Sequence, residues 1–248
     1  VSQPVAHEAY EETSGLPDAP VVLSCEHASP RLPEPYAWAA EDRWLVGTHW
    51  SYDLGARALT LELAQALSAS AVLARYTRLL IDPNRELTQR DLFRESAEGK
   101  PVQLNAGLDE AERARRIARY YTPYHTALDQ ALARSHAPLL LSIHSFTPNY
   151  EGELRDVELG VLFNREEQHA RALHDHLARA FPAVRENEPW SGLAGLIYSA
   201  ESHAERFGRV ALELEVRQDR LEDASYRARL VPVLAEFMRE RFGGASAL

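Results

Sequence analysis

Five apolar runs punctuate the chain and predict strands. Val21–Cys25 follows Pro20 and gives way to Glu26-His27. Ala71–Ile81 ends at Asp82-Pro83, and Leu139–Ile143, Leu159–Phe163 and Val210–Val216 complete the set. Residues 196–199 add a short edge strand. Leu139–Ile143 is apolar without alternation, the pattern of a strand covered on both faces. Between the strands the apolar period becomes helical. Residues 54–68 are rich in Leu and Ala. Ile117, Tyr121, Tyr124, Leu128 and Leu132 mark one face of 109–135. Ala170, Leu173, Leu177 and Ala180 do so in 166–180, and Tyr226, Leu230, Val233 and Phe237 in 222–242. Asp109, with Glu112 three residues on, predicts a capped start for the second helix. Pro123 predicts a kink or a split in it, because proline lacks the amide hydrogen a helix interior needs.

Strands alternating with helices imply an α/β fold: three αβα layers around a mostly parallel mixed sheet. Residues 1–19 are polar and acidic and predict a loose N-terminal arm. Residues 20–248 contain no linker or repeat and predict a single domain. The 248 residues carry 27 Lys and Arg against 37 Asp and Glu, a net charge of −10. That balance argues against a nucleic-acid partner, which needs a basic face. A hydrophobic share of 45% excludes general disorder, and no apolar run approaches the roughly 20 residues of a membrane helix. The single cysteine, Cys25, excludes an internal disulfide and a cysteine-based zinc cluster. Residues 1–30 hold neither a basic residue nor a long apolar core, so no secretory signal is expected there. A cytoplasmic location fits these features. A monomer and a small homo-oligomer both remain open.

In such folds ligands bind beyond the carboxyl ends of the strands. The first strand runs into Glu26-His27 and the third into His144, so both imidazoles stand at one edge of the sheet. Two histidines at matched strand ends suggest a zinc site, which takes imidazole readily and commonly three protein ligands in all. Asp53, at the start of the first long helix, is the leading third ligand; an ordinary helix cap is its bland alternative. Glu26 competes for the ligand role, and so does His49, which could instead orient Asp53. Further on, Arg78, Leu80 and Asp82 share one face of the second strand, and Asn84 and Arg85 sit on the turn after it. Arg78 and Arg85 could anchor a substrate carboxylate through a bidentate fork or form structural pairs with Asp82. Glu213, Glu215 and Arg217 share one face of the last strand. Two carboxylates there are costly to bury unless they face a charged crevice or pair with Arg217. Either is a candidate general base and acid.

Taken in order, Ser24-Cys25-Glu26-His27-Ala28-Ser29, His49 to Ala56, Arg78 to Arg85, Tyr121 to His125, Ser142-Ile143-His144-Ser145 and Leu214-Glu215-Val216-Arg217 resemble the N-formylglutamate amidohydrolase family. The resemblance covers about residues 20 to 220. It implies a zinc-exopeptidase (phosphorylase/hydrolase)-like fold, related to carboxypeptidases and cell-wall amidases. It also implies hydrolysis of a linear amide, with an N-acyl amino acid such as N-formyl-L-glutamate as substrate. By that resemblance His27, Asp53 and His144 hold one Zn2+, Asn84 and Arg85 hold the substrate carboxylate, and Glu215 assists the water. The histidine-utilisation members carry Pro-His-Ser-Gly and Asp-Leu-His-Ser where this chain has Glu-His-Ala-Ser and Ser-Ile-His-Ser. The chain therefore resembles the broader branch of the family.

Two other classes of function compete. A thiol hydrolase would use Cys25 with His27 or His144 as base, although a cysteine inside a strand is more often a small core residue. A binding module that keeps the site without turnover is the other. Tyr121, Tyr124 and His125 fall at helical spacing and are expected in the core. His169, His174 and His176 sit on one expected surface helix, where solvated histidines explain them at least as well as a metal site. Gly192 to Gly195 precede His203 and could cover the crevice, and the polar segment 91–107 could shape access to it.

Overall fold

The computed structural model describes residues 4–150 and 152–244. Eight strands form one sheet: β1 (Val5–Ala6), β2 (Tyr10–Thr13), β3 (Val21–Cys25), β4 (Ser70–Ala74), β5 (Leu139–Phe146), β6 (Leu159–Leu162), β7 (Val184–Glu186) and β8 (Val210–Arg217). Across the sheet their order is β1-β2-β4-β3-β5-β8-β6-β7. The four central strands β4, β3, β5 and β8 are parallel, flanked antiparallel by β2 and β6. The helices are α1 (Ala56–Leu67), α2 (Glu110–Arg116), α3 (Thr122–Ala133), α4 (Glu167–Ala178), α5 (Tyr198–Phe207), α6 (Gln218–Leu221) and α7 (Ala224–Phe242).

Alternation along the strands explains the layers. Leu23, Leu141 and Leu214 point to one face and pack with apolar side chains of α1, α4 and α7. Val22, Leu140 and Ala211 point to the other and pack with α3 and α5. The expected three-layer α/β arrangement is therefore what forms. No helix among the described residues is long and apolar enough to cross a membrane.

Three sequence expectations are corrected, and the break expected near Pro123 is found. The first residues are not a loose arm: β1 and β2 form a hairpin whose second strand pairs with Ala71–Ala74. Glu11 and Glu12 fix it through ion pairs to Arg57 and Arg134. The strand expected over 71–81 stops at Ala74. Beyond it, Thr77 donates its amide to Arg31 O and its hydroxyl to Ser51 O, and Leu80 N closes a turn on Thr77 O. Arg78, Leu80 and Asp82 thus lie on a turn rather than on one strand face. Residues 196–199 enter α5 instead of forming an edge strand, and β7 supplies that edge. In the 109–135 segment α2 and α3 are joined by a π-helical turn, Ile117–Tyr121, which widens the coil just ahead of Pro123. Asp109 caps α2 as expected, accepting from Glu112 N at 2.7 Å.

Candidate active site

The face covered by α3 and α5 changes character along each strand. Near its base are Val22, Leu140 and Ala211. One step up, in register, come Ser24, Ser142 and Glu213. At the top Glu26, His144 and Glu215 emerge, with Glu215 opposite His144. The period-two geometry of two strands therefore delivers His144 and Glu215 to one rim, and Glu26 joins them from the turn that follows β3. Strand β3 ends at Cys25, so the chain turns there and His27 joins Glu26 on the same side.

Asp53 approaches from the start of α1. Its amide donates to His27 O at 2.9 Å, and Gly55 then adopts φ 81° to admit the helix. A side chain at Gly55 would meet Leu221 at 2.9 Å, so the turn requires glycine. The Asp53 carboxylate does not cap the helix. Instead Oδ2 lies 2.8 Å from His144 Nδ1 and 3.4 Å from His27 Nδ1, and accepts from Ser145 N at 3.2 Å. The two imidazole centroids are 4.7 Å apart.

The opposite ring nitrogens are equally ordered. His27 Nε2 donates to Asp82 Oδ1 at 2.7 Å, and His144 Nε2 donates to Glu26 Oε2 at 3.1 Å. Glu26 also accepts from Ser142 Oγ at 2.5 Å and Tyr124 OH at 2.9 Å. A carboxylate behind each histidine fixes the ring and leaves Nδ1 facing its neighbours, the arrangement that supports a metal-ligating imidazole. Burial opposes the charge on Glu26, but the hydrogen bond and charge of His144 outweigh it and hold the acid ionised. The same contest at Asp53 is won by the charge of His27 and the hydrogen bond from His144. At Asp82 it is won by the charges of His27 and Arg78.

The donor set tests whether a metal fits. One ligand atom each from His27, Asp53 and His144 lies within 4.8 Å of the other two, all three residues being buried. Two imidazoles and a carboxylate are a fitting donor set for a divalent ion such as zinc. His144, Glu213 and Glu215 form a second close group. A metal there would compete with Glu26 for His144 Nε2, so the first group fits better. Glu26, the rival for the ligand role, has its oxygens engaged by Tyr124, Ser142 and His144.

Glu213 and Glu215 face this cluster, not Arg217. Arg217 pairs with Asp219 and Glu158 instead. Burial raises both carboxyls above the usual range, and the charge of His144 opposes the rise. Their environments differ. Glu213 Oε2 accepts from Asn84 Nδ2 at 3.4 Å and lies 3.5 Å from His144 Nε2. Glu215 Oε2 is buried with no hydrogen-bond partner among the described residues.

These groups line a cavity of about 320 Å³, large enough for a small ligand. Arg78, Arg85, Arg94 and Arg155 also line it. Arg78 bonds Asp82 at 2.9 Å and lies 3.6 Å from Asp53, so its structural pairing is realised. Arg85 bonds Asp91 through Nε at 2.7 Å. Asn84 donates to Leu196 O at 3.1 Å, and its Oδ1 accepts from Ser199 N at 3.0 Å, tying the turn to the start of α5. The polar segment after Asp91 does shape the cavity, contributing Asp91 and Arg94 to its wall. Trp190 reaches the wall because Gly160 lets the adjoining chain pass close by: a Cβ there would lie 1.9 Å from Glu188 O.

Some expectations do not hold at this site. His49 lines the cavity, but its buried Nε2 has no partner among the described residues and it does not bond Asp53. Cys25 is fully buried on the opposite face, and burial raises its thiol far above the usual range, which removes it as a nucleophile. Tyr121 and Tyr124 are in the core as expected, yet each also holds site backbone or side chain. Tyr121 OH donates to Arg85 O at 2.8 Å, and Tyr124 OH donates to Glu26. Helical spacing signalled their burial but gave no sign of these hydroxyl contacts. Ser142 carried a signal only through its place two residues before His144. Arg155 and Trp190 lie in connections with no periodic pattern.

The family model of the N-formylglutamate amidohydrolases matches residues 19–221. The chain belongs to that family. A solved structure, gene product Atu2144 from Agrobacterium tumefaciens, is 28% identical, with a TM-score of 0.88 over 94% of each chain. An N-formylglutamate deformylase from Pseudomonas aeruginosa is 30% identical over 162 residues, 57% of this chain. The match spans 59% of the length of that relative. The cavity residues from His27 to Glu215 lie within the matched region.

Proposed function

We propose that this amidohydrolase removes the formyl group from an N-formyl amino acid such as N-formyl-L-glutamate, releasing formate and the free amino acid, with His27, Asp53 and His144 holding one divalent ion, zinc. The observation that carries the reading is the pair of imidazole Nδ1 atoms converging on one oxygen of Asp53, each ring backed by its own carboxylate. When bound, the ion would polarise the formyl carbonyl and acidify water beside it.

The chain's own residues supply the rest. Glu215 Oε2, buried and unpartnered, accepts a proton from the attacking water. As the carbon–nitrogen bond breaks, the same oxygen returns that proton to the leaving amine. Its raised pKa suits both transfers near neutral pH. Glu213 is braced by Asn84 and serves as the neighbouring acid that keeps Glu215 basic. Arg85, with Asn84 and Arg78 beside it, holds the amino acid's carboxylate and fixes the angle of attack. Because the whole chain is acidic, this local cationic wall must provide the attraction for an anionic substrate.

The test combines metal analysis with formate release from N-formylglutamate. One ion per chain and turnover lost on chelation are expected. Undiminished turnover by metal-free protein would reject the reading.

A further inference from the structure

Among the cavity's four arginines, three are tied to acids. Arg78 pairs with Asp82 and Asp53, Arg85 with Asp91, and Arg94 lies 3.7 Å from Asp91. Arg155 is different. It makes no ion pair with any described residue. Its guanidinium carbon lies instead 4.6 Å from the Trp190 ring centre, 4.7 Å from Tyr150 and 5.6 Å from Phe146. Aromatic faces hold a guanidinium by its flat sides and leave its N–H edge free. One long contact, NH1 to Thr147 O at 3.4 Å, uses part of that edge.

The backbone beneath it is fixed. Arg155 N donates to Pro148 O at 2.9 Å, and Arg155 O accepts from Arg217 NH1 at 3.0 Å. The position in the fold is equally telling. Arg85 follows β4, on one flank of the parallel strands. Arg155 lies between β5 and β6, on the other flank, with His27 just past β3 and His144 near the end of β5 between them. A substrate whose reacting amide sits at the histidines therefore meets a guanidinium on each side.

We infer that Arg155 is a specificity-determining residue that binds a second, distal carboxylate of the substrate, so that the site selects N-acyl amino acids carrying two acidic groups. This rests on the proposed deformylase reading and adds a residue and a selection rule to it. A planar carboxylate can take two N–H bonds from the free edge of the guanidinium, and the aromatic walls strengthen that pairing by excluding water.

The test compares kcat/KM for N-formylglutamate with that for N-formylglutamine, which has the same shape without the distal charge. Wild-type protein is expected to favour the diacid about 10- to 100-fold, the range of one charge-assisted hydrogen-bonded pair. Arg155→Met, which keeps the apolar stem among the rings, should bring that ratio close to one, mainly through KM. Arg155→Lys should restore part of it. An equal loss with both substrates, or an unchanged ratio, would overturn the inference. If wild-type protein released formate from neither compound, the deformylase reading would fail, and calorimetric binding of L-glutamate against L-glutamine would decide the role of Arg155. A preference for glutamate that vanishes in Arg155→Met supports it. No preference in wild-type protein, or one that survives the substitution, overturns it.

Discussion

The two faces of the central sheet are built from alternate residues of the same three strands, yet they have opposite characters. On one face Leu23, Leu141 and Leu214 lie in a dry layer under α1, α4 and α7. On the other, Ser24, Ser142 and Glu213 rise to Glu26, His144 and Glu215. Stability is concentrated on the first face, where apolar area leaves water, and chemistry on the second, where buried charges must satisfy each other. The comparison teaches that one strand can serve both ends because its side chains never share a face with their immediate neighbours.

Substitutions on the two faces should therefore fail in different ways. The largest effect is expected at the ligands. His144→Ala should lose both the bound metal and formate release while remaining folded, as read by metal analysis and circular dichroism. Glu215→Gln should retain metal but lower kcat by about 10²–10⁴, the usual worth of a general acid–base group. Retained turnover would transfer that role to Glu213. On the dry face, Leu214→Ala should cost about 2–5 kcal/mol in denaturant unfolding, because the void left by a fully buried leucine closes only in part. The fraction that stays folded should keep normal kcat.

Smaller effects would sharpen the contrast. Glu26→Gln removes the acid behind His144 and should weaken metal affinity by about 10- to 100-fold in chelator competition, with stoichiometry at saturation unchanged. The last concerns pH. Burial, reinforced by the neighbouring His203, pushes His125 down to about 3 from 6.5, so it stays neutral in the fold while the unfolded chain takes up a proton. Stability is thus full above pH 6.5 and is lost as pH falls toward about 3. The loss should reach about 1 kcal/mol by about pH 5.5, and His125→Phe should flatten that slope.

Much of this architecture was legible in the sequence because it depends on period and adjacency. Val21–Cys25, Leu139–Ile143 and Val210–Val216 declared themselves as buried strands, and the polar residues at their ends pointed to His27, His144 and Glu215. Asp53 followed from the rule that a helix after a strand starts at the same rim. Other parts depend on distant contacts that no local pattern encodes. The strand after Ala71 is cut short at Ala74 because Thr77 finds partners on Arg31 and Ser51, far away in sequence. The hairpin at Val5–Thr13 forms because an open strand edge at Ala71–Ala74 accepts it. Arg155 owes its place to the rings of Phe146 at the end of β5, Tyr150 and Trp190, which only the folded chain brings together.

The alternation of leucines with serines and acids along these strands has a consequence for how the protein folds. Sliding β5 or β8 by one residue would turn Ser142 and His144, or Glu213 and Glu215, into the leucine layer and bring leucines up to the metal rim. A one-residue slip would therefore strand unpaired charge in oil. These polar groups penalise odd-numbered slips, so the residues of the candidate site also act as a proofreading device during assembly.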